Sequence, residues 1–220
     1  TNINAPITAF AADSKGRIAV GYTKSSRGAV ARVRANGTAV DADYDDYTGF
    51  ATTGFVADVS GSTNISGDVH VAVDSNDNVI VAAVNNSAAD IVLVCYDSAG
   101  SVAATATPLS SLASPVITGI MVTNTNEVMV FGNYTGGVFT AQFSSSLVLD
   151  TTYGTGGVST YTIDGVNSLY AGSLTVDGIF YLTGNDASIN PLLLRMYSDR
   201  FIGEDNQQPT NAIPGTLDVS

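Results

Sequence analysis

The densest set of hard oxygen ligands in this 220-residue chain is the run Asp41-Ala42-Asp43-Tyr44-Asp45-Asp46-Tyr47-Thr48-Gly49. Carboxylates on alternate residues can converge on one hard cation, so Asp41, Asp43 and Asp45 form a candidate calcium site. An EF-hand loop would carry Gly where Asp46 stands and Glu where Thr52 stands. The competing reading is therefore a solvated acidic turn. His70 is the sole histidine, flanked by Val69 and Val71 in an apolar strand. With no Gly-x-Ser-x-Gly nucleophile beside it, it reads as structural or exposed rather than catalytic. Cys95 lies in the run Ile91-Val92-Leu93-Val94-Cys95-Tyr96, where a thiol is an inert core residue. Gly154-Thr155-Gly156-Gly157 has the look of a phosphate loop but lacks the Lys and the helix that follow one, so it is read as a turn. No catalytic residue is assigned, no enzymatic activity is expected, and no cofactor beyond the calcium candidate is indicated.

Composition narrows the partners. The net charge is -12, yet no Lys or Arg occurs between Ala35 and Leu194, so a phosphate backbone or an anionic membrane would find little to neutralise. Nucleic acid and membrane insertion are accordingly not expected, and no apolar run approaches the ~20 residues of a spanning helix. A lone cysteine permits no internal disulfide. The chain opens on Thr1 without Met or a signal peptide, which suggests a processed or excised piece of a longer precursor.

Four copies of one phrase organise these residues. Each has a short apolar strand, a turn rich in Asp, Asn, Gly or Lys, and a second apolar strand running toward Gly21, Ala83, Gly132 or Gly184. Aligned on the turn, Gly16, Asp77, Asn126 and Gly178 are equivalent, at intervals of 61, 49 and 52 residues. A period of that size signals a repeat architecture, most often a propeller. A third strand follows in each copy, then a polar turn such as Asn36-Gly37 or Asp97-Ser98 that tolerates positive φ. The second strands Val79-Ile80-Val81 and Val128-Met129-Val130-Phe131 are apolar on both faces, as a strand between two neighbouring sheets must be. Ile18 and Val20, Val79 and Val81, Val128 and Val130, and Phe180 and Leu182 are the expected core pairs. The expectation is an all-β, β-propeller-like array of about four antiparallel blades, either a four-bladed ring or part of a larger one. It forms one repeat domain over 1-220, with repeats near 7-63, 64-109, 110-163 and 164-220.

The segment Leu149-Asp150-Thr151-Thr152-Tyr153-Gly154-Thr155-Gly156-Gly157, followed by Asp177 to Gly184 and by Leu192 to Arg195, resembles the delta-60 repeat proteins of bacteria. The likeness is close over roughly residues 145 to 200 and looser in the first two copies, the second having Val102-Ala103-Ala104-Thr105 in place of the connector. It implies a propeller-type interaction domain of a secreted or surface protein, and no reaction. Two functional classes follow: a module that binds a protein or glycan surface, and a structural subunit that self-associates on a cell surface or fibre. The similar strings Thr1-Asn2-Ile3-Asn4-Ala5-Pro6-Ile7 and Thr210-Asn211-Ala212-Ile213-Pro214 suggest that one terminus completes the blade begun by the other.

Overall fold

The computed structural model describes residues 5–24, 27–37, 55–57, 65–85, 90–106, 109, 112–161, 166–175, 179–186 and 190–197. They form four antiparallel meanders. Sheet 1 comprises β1 (Ile7–Ala12), β2 (Ile18–Lys24), β3 (Arg27–Val33) and β4 (Phe55–Ala57). Sheet 2 follows with β5 (Ile65–Val73), β6 (Val79–Asn85), β7 (Asp90–Tyr96) and β8 (Val102–Ala106). Sheet 3 holds β9 (Val116–Val122), β10 (Val128–Tyr134), β11 (Gly137–Phe143) and β12 (Val158–Tyr161). Sheet 4 has β13 (Val166–Leu174), β14 (Ile179–Asp186) and β15 (Pro191–Tyr197). The outer strand β8 forms although the second copy lacks the Leu-Asp connector, because Val102–Ala106 alone supplies enough backbone to pair with β7.

The repeated turn is one hydrogen-bonded structure. In each copy the residue after the first strand, Asp13, Asp74, Thr123 or Thr175, donates its N–H to the carbonyl four residues on. Its side-chain oxygen accepts from that same residue's N–H, at 2.8 Å from Arg17 and Asn78 and 3.0 Å from Glu127. The fourth turn does the same at 3.2 Å, from Ile179 N–H to Thr175 Oγ1. Closing the loop puts the residue three after the cap in the left-handed region, with φ of 73° at Gly16 and 63° at both Asp77 and Asn126. Only Gly, Asn and Asp enter that region readily, which is why the turn positions carry those types.

Successive sheets stack face to face, the first strand of each lying against the first strand of the next: β1 and β2 on β5, β5 on β9, and β9 on β13. No comparable packing joins sheet 4 to sheet 1 among the described residues. Strand alternation gives sheets 2 and 3 one face toward the preceding sheet and one toward the next. Between sheets 1 and 2 the core is Ala19, Val30, Val69, Val71, Val79, Val81, Val92 and Val94. The largest core, between sheets 2 and 3, sets Ile80, Ala82, Ile91 and Leu93 against Val128, Val130, Phe139 and Phe143. Met129, Phe131 and Val138 meet Leu169 and Leu182 between sheets 3 and 4.

Val20, Val79, Val81, Val128, Val130 and Leu182 are buried as the core pairs require. Ile18 departs from expectation, being 37% exposed. It lies at the turn end of sheet 1 on the face that has no preceding sheet among the described residues. Phe180 pairs with Leu174 and Met196, and its side chain lies outside the described set.

Candidate functional site

Asp41, Asp43 and Asp45 lie outside the described residues. Among the described residues no group of three metal-capable side chains comes together. Cys95 is buried in the core between sheets 2 and 3, and burial, with Asp74 and Asp97 adding to it, pushes its thiol up to about 11. A thiol held protonated in that way is a packing residue. The Gly154-Thr155-Gly156-Gly157 turn spends its N–H groups internally: Thr155 donates to the Val158 carbonyl and Gly157 to that of Tyr153. Tyr153 Oη meets Thr140 Oγ1 at 2.7 Å, and Leu149 packs where a side chain at Gly157 would have to go. The Leu-Asp-x-x-Tyr-Gly-x-Gly-Gly segment therefore builds the connection from β11 to β12.

Two sets of polar contacts tie the sheets together. At the turn end, the left-handed residue of one turn clasps the turn before it. Ser14 donates its N–H to Asp77 Oδ1 at 2.9 Å and its hydroxyl to Oδ2 at 3.0 Å. One sheet further on, Ser75 N–H donates to Asn126 Oδ1 at 3.0 Å while Asn126 Nδ2 donates to Ser75 Oγ at 2.8 Å. The first clasp is ionic as well: Lys15 Nζ and Arg17 approach Asp77 Oδ2 at 3.6 and 3.7 Å, and Arg17 Nε donates to Asp13 at 2.5 Å. Hydrogen bonds from Ser14 hold the Asp77 carboxyl below its ordinary range, with the two cations helping and burial opposing. In sequence order the third clasp would join Asn124 to Gly178, which has no side chain to offer.

At the other end each first strand bulges, with register shifts between Ile7 and Ala9, Ser66 and His70, and Leu169 and Ala171, and in β9 opposite Phe131 and Gly132. A bulge leaves backbone groups outside the ladder. Thr8 Oγ1 serves those of sheet 2, donating to the Val69 carbonyl at 2.8 Å and accepting from Val69 N–H at 3.0 Å. Thr23 Oγ1 donates to the Gly67 carbonyl at 3.0 Å. Asn133 serves sheet 4, accepting from Leu169 N–H at 2.7 Å and donating to its carbonyl at 3.3 Å, a carbonyl that Thr118 also reaches. None of these pairings was legible in the sequence, because each needs to know which turn or bulge sits over which.

The outward face of sheet 4 is the candidate contact surface. In sheet 2 the face toward the next sheet is Ile80, Ala82, Ile91, Leu93 and Cys95, all buried. At the matching positions of sheet 4 the cross-strand rows are Ser173–Tyr181–Arg195 and Ala171–Thr183–Leu193. Apart from the half-buried Tyr181 these residues are exposed, Leu193 at 48%. The bulged Tyr170, 63% exposed, donates its hydroxyl to Asn185 Oδ1 at 2.9 Å, which fixes the ring over this face. An exposed, aromatic and hydroxyl-rich surface bearing the Arg195 guanidinium stands where the other sheets bury their residues, among them Arg32, Thr140 and Gln142.

No protein-family model matches the chain, and no curated protein sequence does. The chain is similar to a solved structure described as the Dos1 propeller, at 12% identity over 87% of this chain and 45% of that one, with a TM-score of 0.52. It is also similar to the structure of a protein from Lactobacillus plantarum, at 12% identity over 90% of this chain and 57% of that one, TM-score 0.47. A GH43 endo-arabinanase from Bacillus licheniformis matches at 12% identity over 87% and 73%, TM-score 0.43. The chain thus spans about half the length of the first two structures. The stacked meanders and the likeness to the Dos1 propeller make this chain a β-propeller-like array of four antiparallel sheets.

Proposed function

We propose that the protein is a non-enzymatic interaction module of a secreted or surface-exposed bacterial protein, akin to the delta-60 repeat proteins. Its contact surface for a protein or glycan partner is the outward face of sheet 4. The observation that carries this reading is the exposure of Thr183, Leu193 and Arg195, whose counterparts in sheets 1 to 3 are all buried, with the exposed Tyr170 beside them. Tyrosine and arginine are enriched in recognition surfaces because each combines a flat apolar body with polar groups. The same face would also suit a second copy of the chain, which is the structural-subunit reading.

Sedimentation velocity separates the two. A monomer across a hundredfold range of concentration supports the module. Species that grow with concentration, and revert to monomer in Tyr170→Ser/Leu193→Ser, support self-assembly. On a printed glycan array and a panel of surface-protein extracts, the module predicts retention that falls at least about tenfold in Tyr170→Ala, the loss of one central aromatic anchor. Retention unchanged in that variant would remove sheet 4 as the contact surface.

A further inference from the structure

His70 sits where the repeat has lost its own latch. Counted from their turns, Val69 and Val84 occupy in sheet 2 the positions that Thr8 and Thr23 hold in sheet 1 and Thr118 and Asn133 hold in sheet 3. Two valines cannot serve the bulged backbone of the next sheet. His70 pairs with Ala82, a residue of the core between sheets 2 and 3, so its ring points into that junction. There a ring N–H donates to the Ile117 backbone carbonyl, a bond that favours the protonated ring. Its other nitrogen, Nε2, is buried with no partner.

We propose that His70 is an acid-sensitive latch on the junction between sheets 2 and 3. Neutral, the ring packs against the bulge of β9; protonated, its buried charge and the partnerless N–H on Nε2 loosen that end of the junction, while the threonine and asparagine latches on either side stay closed.

The surroundings give the direction. Strands β1, β6 and β9 carry no ionisable side chain, and Tyr22, Lys24, Arg27 and Arg32 belong to sheet 1, on the opposite side of β5. The carboxylate near the ring is Asp68, exposed on β5 itself. Protonation places an N–H on Nε2 that has no acceptor and a charge in an apolar junction. Burial therefore lowers the imidazole below 6.5, with Asp68 and the Ile117 bond opposing without prevailing. A folded value below the unfolded one means stability is complete above the unfolded pKa and declines as pH falls through the folded one.

The chain has one histidine, so a proton NMR titration reads this ring alone. The expected midpoint is below 6.5. Hydrogen exchange, corrected for intrinsic rates, should show protection at Ile117–Gly119 falling between pH 7 and pH 5, by up to about tenfold for each unit separating the folded and unfolded values. Protection at Val69 and Leu169 should hold. His70→Asn keeps a donor and cannot titrate, so it should abolish the pH dependence. A midpoint at or above 6.5, exchange at Ile117–Gly119 that ignores pH in the wild type, or a pH dependence that survives in His70→Asn would each overturn the proposal.

Discussion

Gly132→Ala should destabilise the protein by about 3 kcal/mol or more, toward the upper end of overpacking costs. The physical reason is backbone against backbone. A Cβ at Gly132 would stand 2.1 Å from the Val116 carbonyl oxygen and 3.0 Å from Ile117 Cα, with no flexible side chain to swing aside. The bulge in β9 pushes that carbonyl into the space. Sheet 4 repeats the arrangement, a Cβ at Gly184 standing 2.1 Å from the Ser168 carbonyl oxygen, so Gly184→Ala should cost a comparable amount. Sheet 2 supplies the control. There the equivalent residue is Ala83, fully buried, and the bulge opposite it spreads from Ser66 to His70 and leaves room. Ala83→Gly should therefore lose only about 1.5 kcal/mol, the entropic cost of glycine in a strand plus one methyl. Urea unfolding of the three variants checks this. If Gly132→Ala and Ala83→Gly fall within 1 kcal/mol of each other, the bulged carbonyl yields and the glycine is not required.

The sequence shows a glycine or alanine closing each phrase, and here pattern and physics part company. Counted from its turn, Gly21 stands one residue earlier than Gly132 and Gly184, and the structural equivalent in sheet 1 is Tyr22. Gly21 is kept small by something else: a Cβ there would stand 2.7 Å from the Val69 carbonyl oxygen of the neighbouring sheet. Local features were legible because their causes are local. The left-handed turn demands Gly, Asn or Asp, and an Asx or Thr cap demands a side-chain oxygen, so four turns separated by many residues announce themselves. The core pairs followed from strand alternation. What stayed hidden depends on the neighbour. Asp77 looks like any turn aspartate until Ser14, 63 residues away, is found against it. The polar row Tyr181, Thr183 and Asn185 is plain in the sequence, but its meaning rests on knowing that this parity faces the next sheet.

Asp77 allows the clasp to be dissected from the turn that carries it. Asp77→Ala should cost about 2–4 kcal/mol: a charge-assisted hydrogen bond from Ser14 N–H, a second from its hydroxyl, and a non-glycine residue without side-chain compensation at positive φ. Asp77→Gly removes the same bonds but tolerates the φ of 63°, so the difference between the two variants isolates backbone strain at about 1 kcal/mol. Asp77→Asn should be nearly neutral at pH 7, because the neighbouring clasp already shows how an asparagine does the work. Asn126 accepts from Ser75 N–H and donates to Ser75 Oγ, and an asparagine at 77 would face Ser14 in the same way. The ion pairs to Lys15 and Arg17 would go: Lys15 is largely exposed, so its pair at 3.6 Å contributes little, and the mostly buried Arg17, 3.7 Å from Asp77, keeps Asp13 as its partner. Acid tells the remaining difference. The folded carboxyl lies below its unfolded value of 3.8, so its contribution is present above that pH and is lost as pH falls through the folded pKa. Melting curves from pH 7 to pH 2 should show a loss in the wild type below pH 4 that is smaller in Asp77→Asn. Should Asp77→Asn melt as low as Asp77→Ala at pH 7, the clasp would be ionic rather than geometric, and the match to Asn126 would be only one of shape.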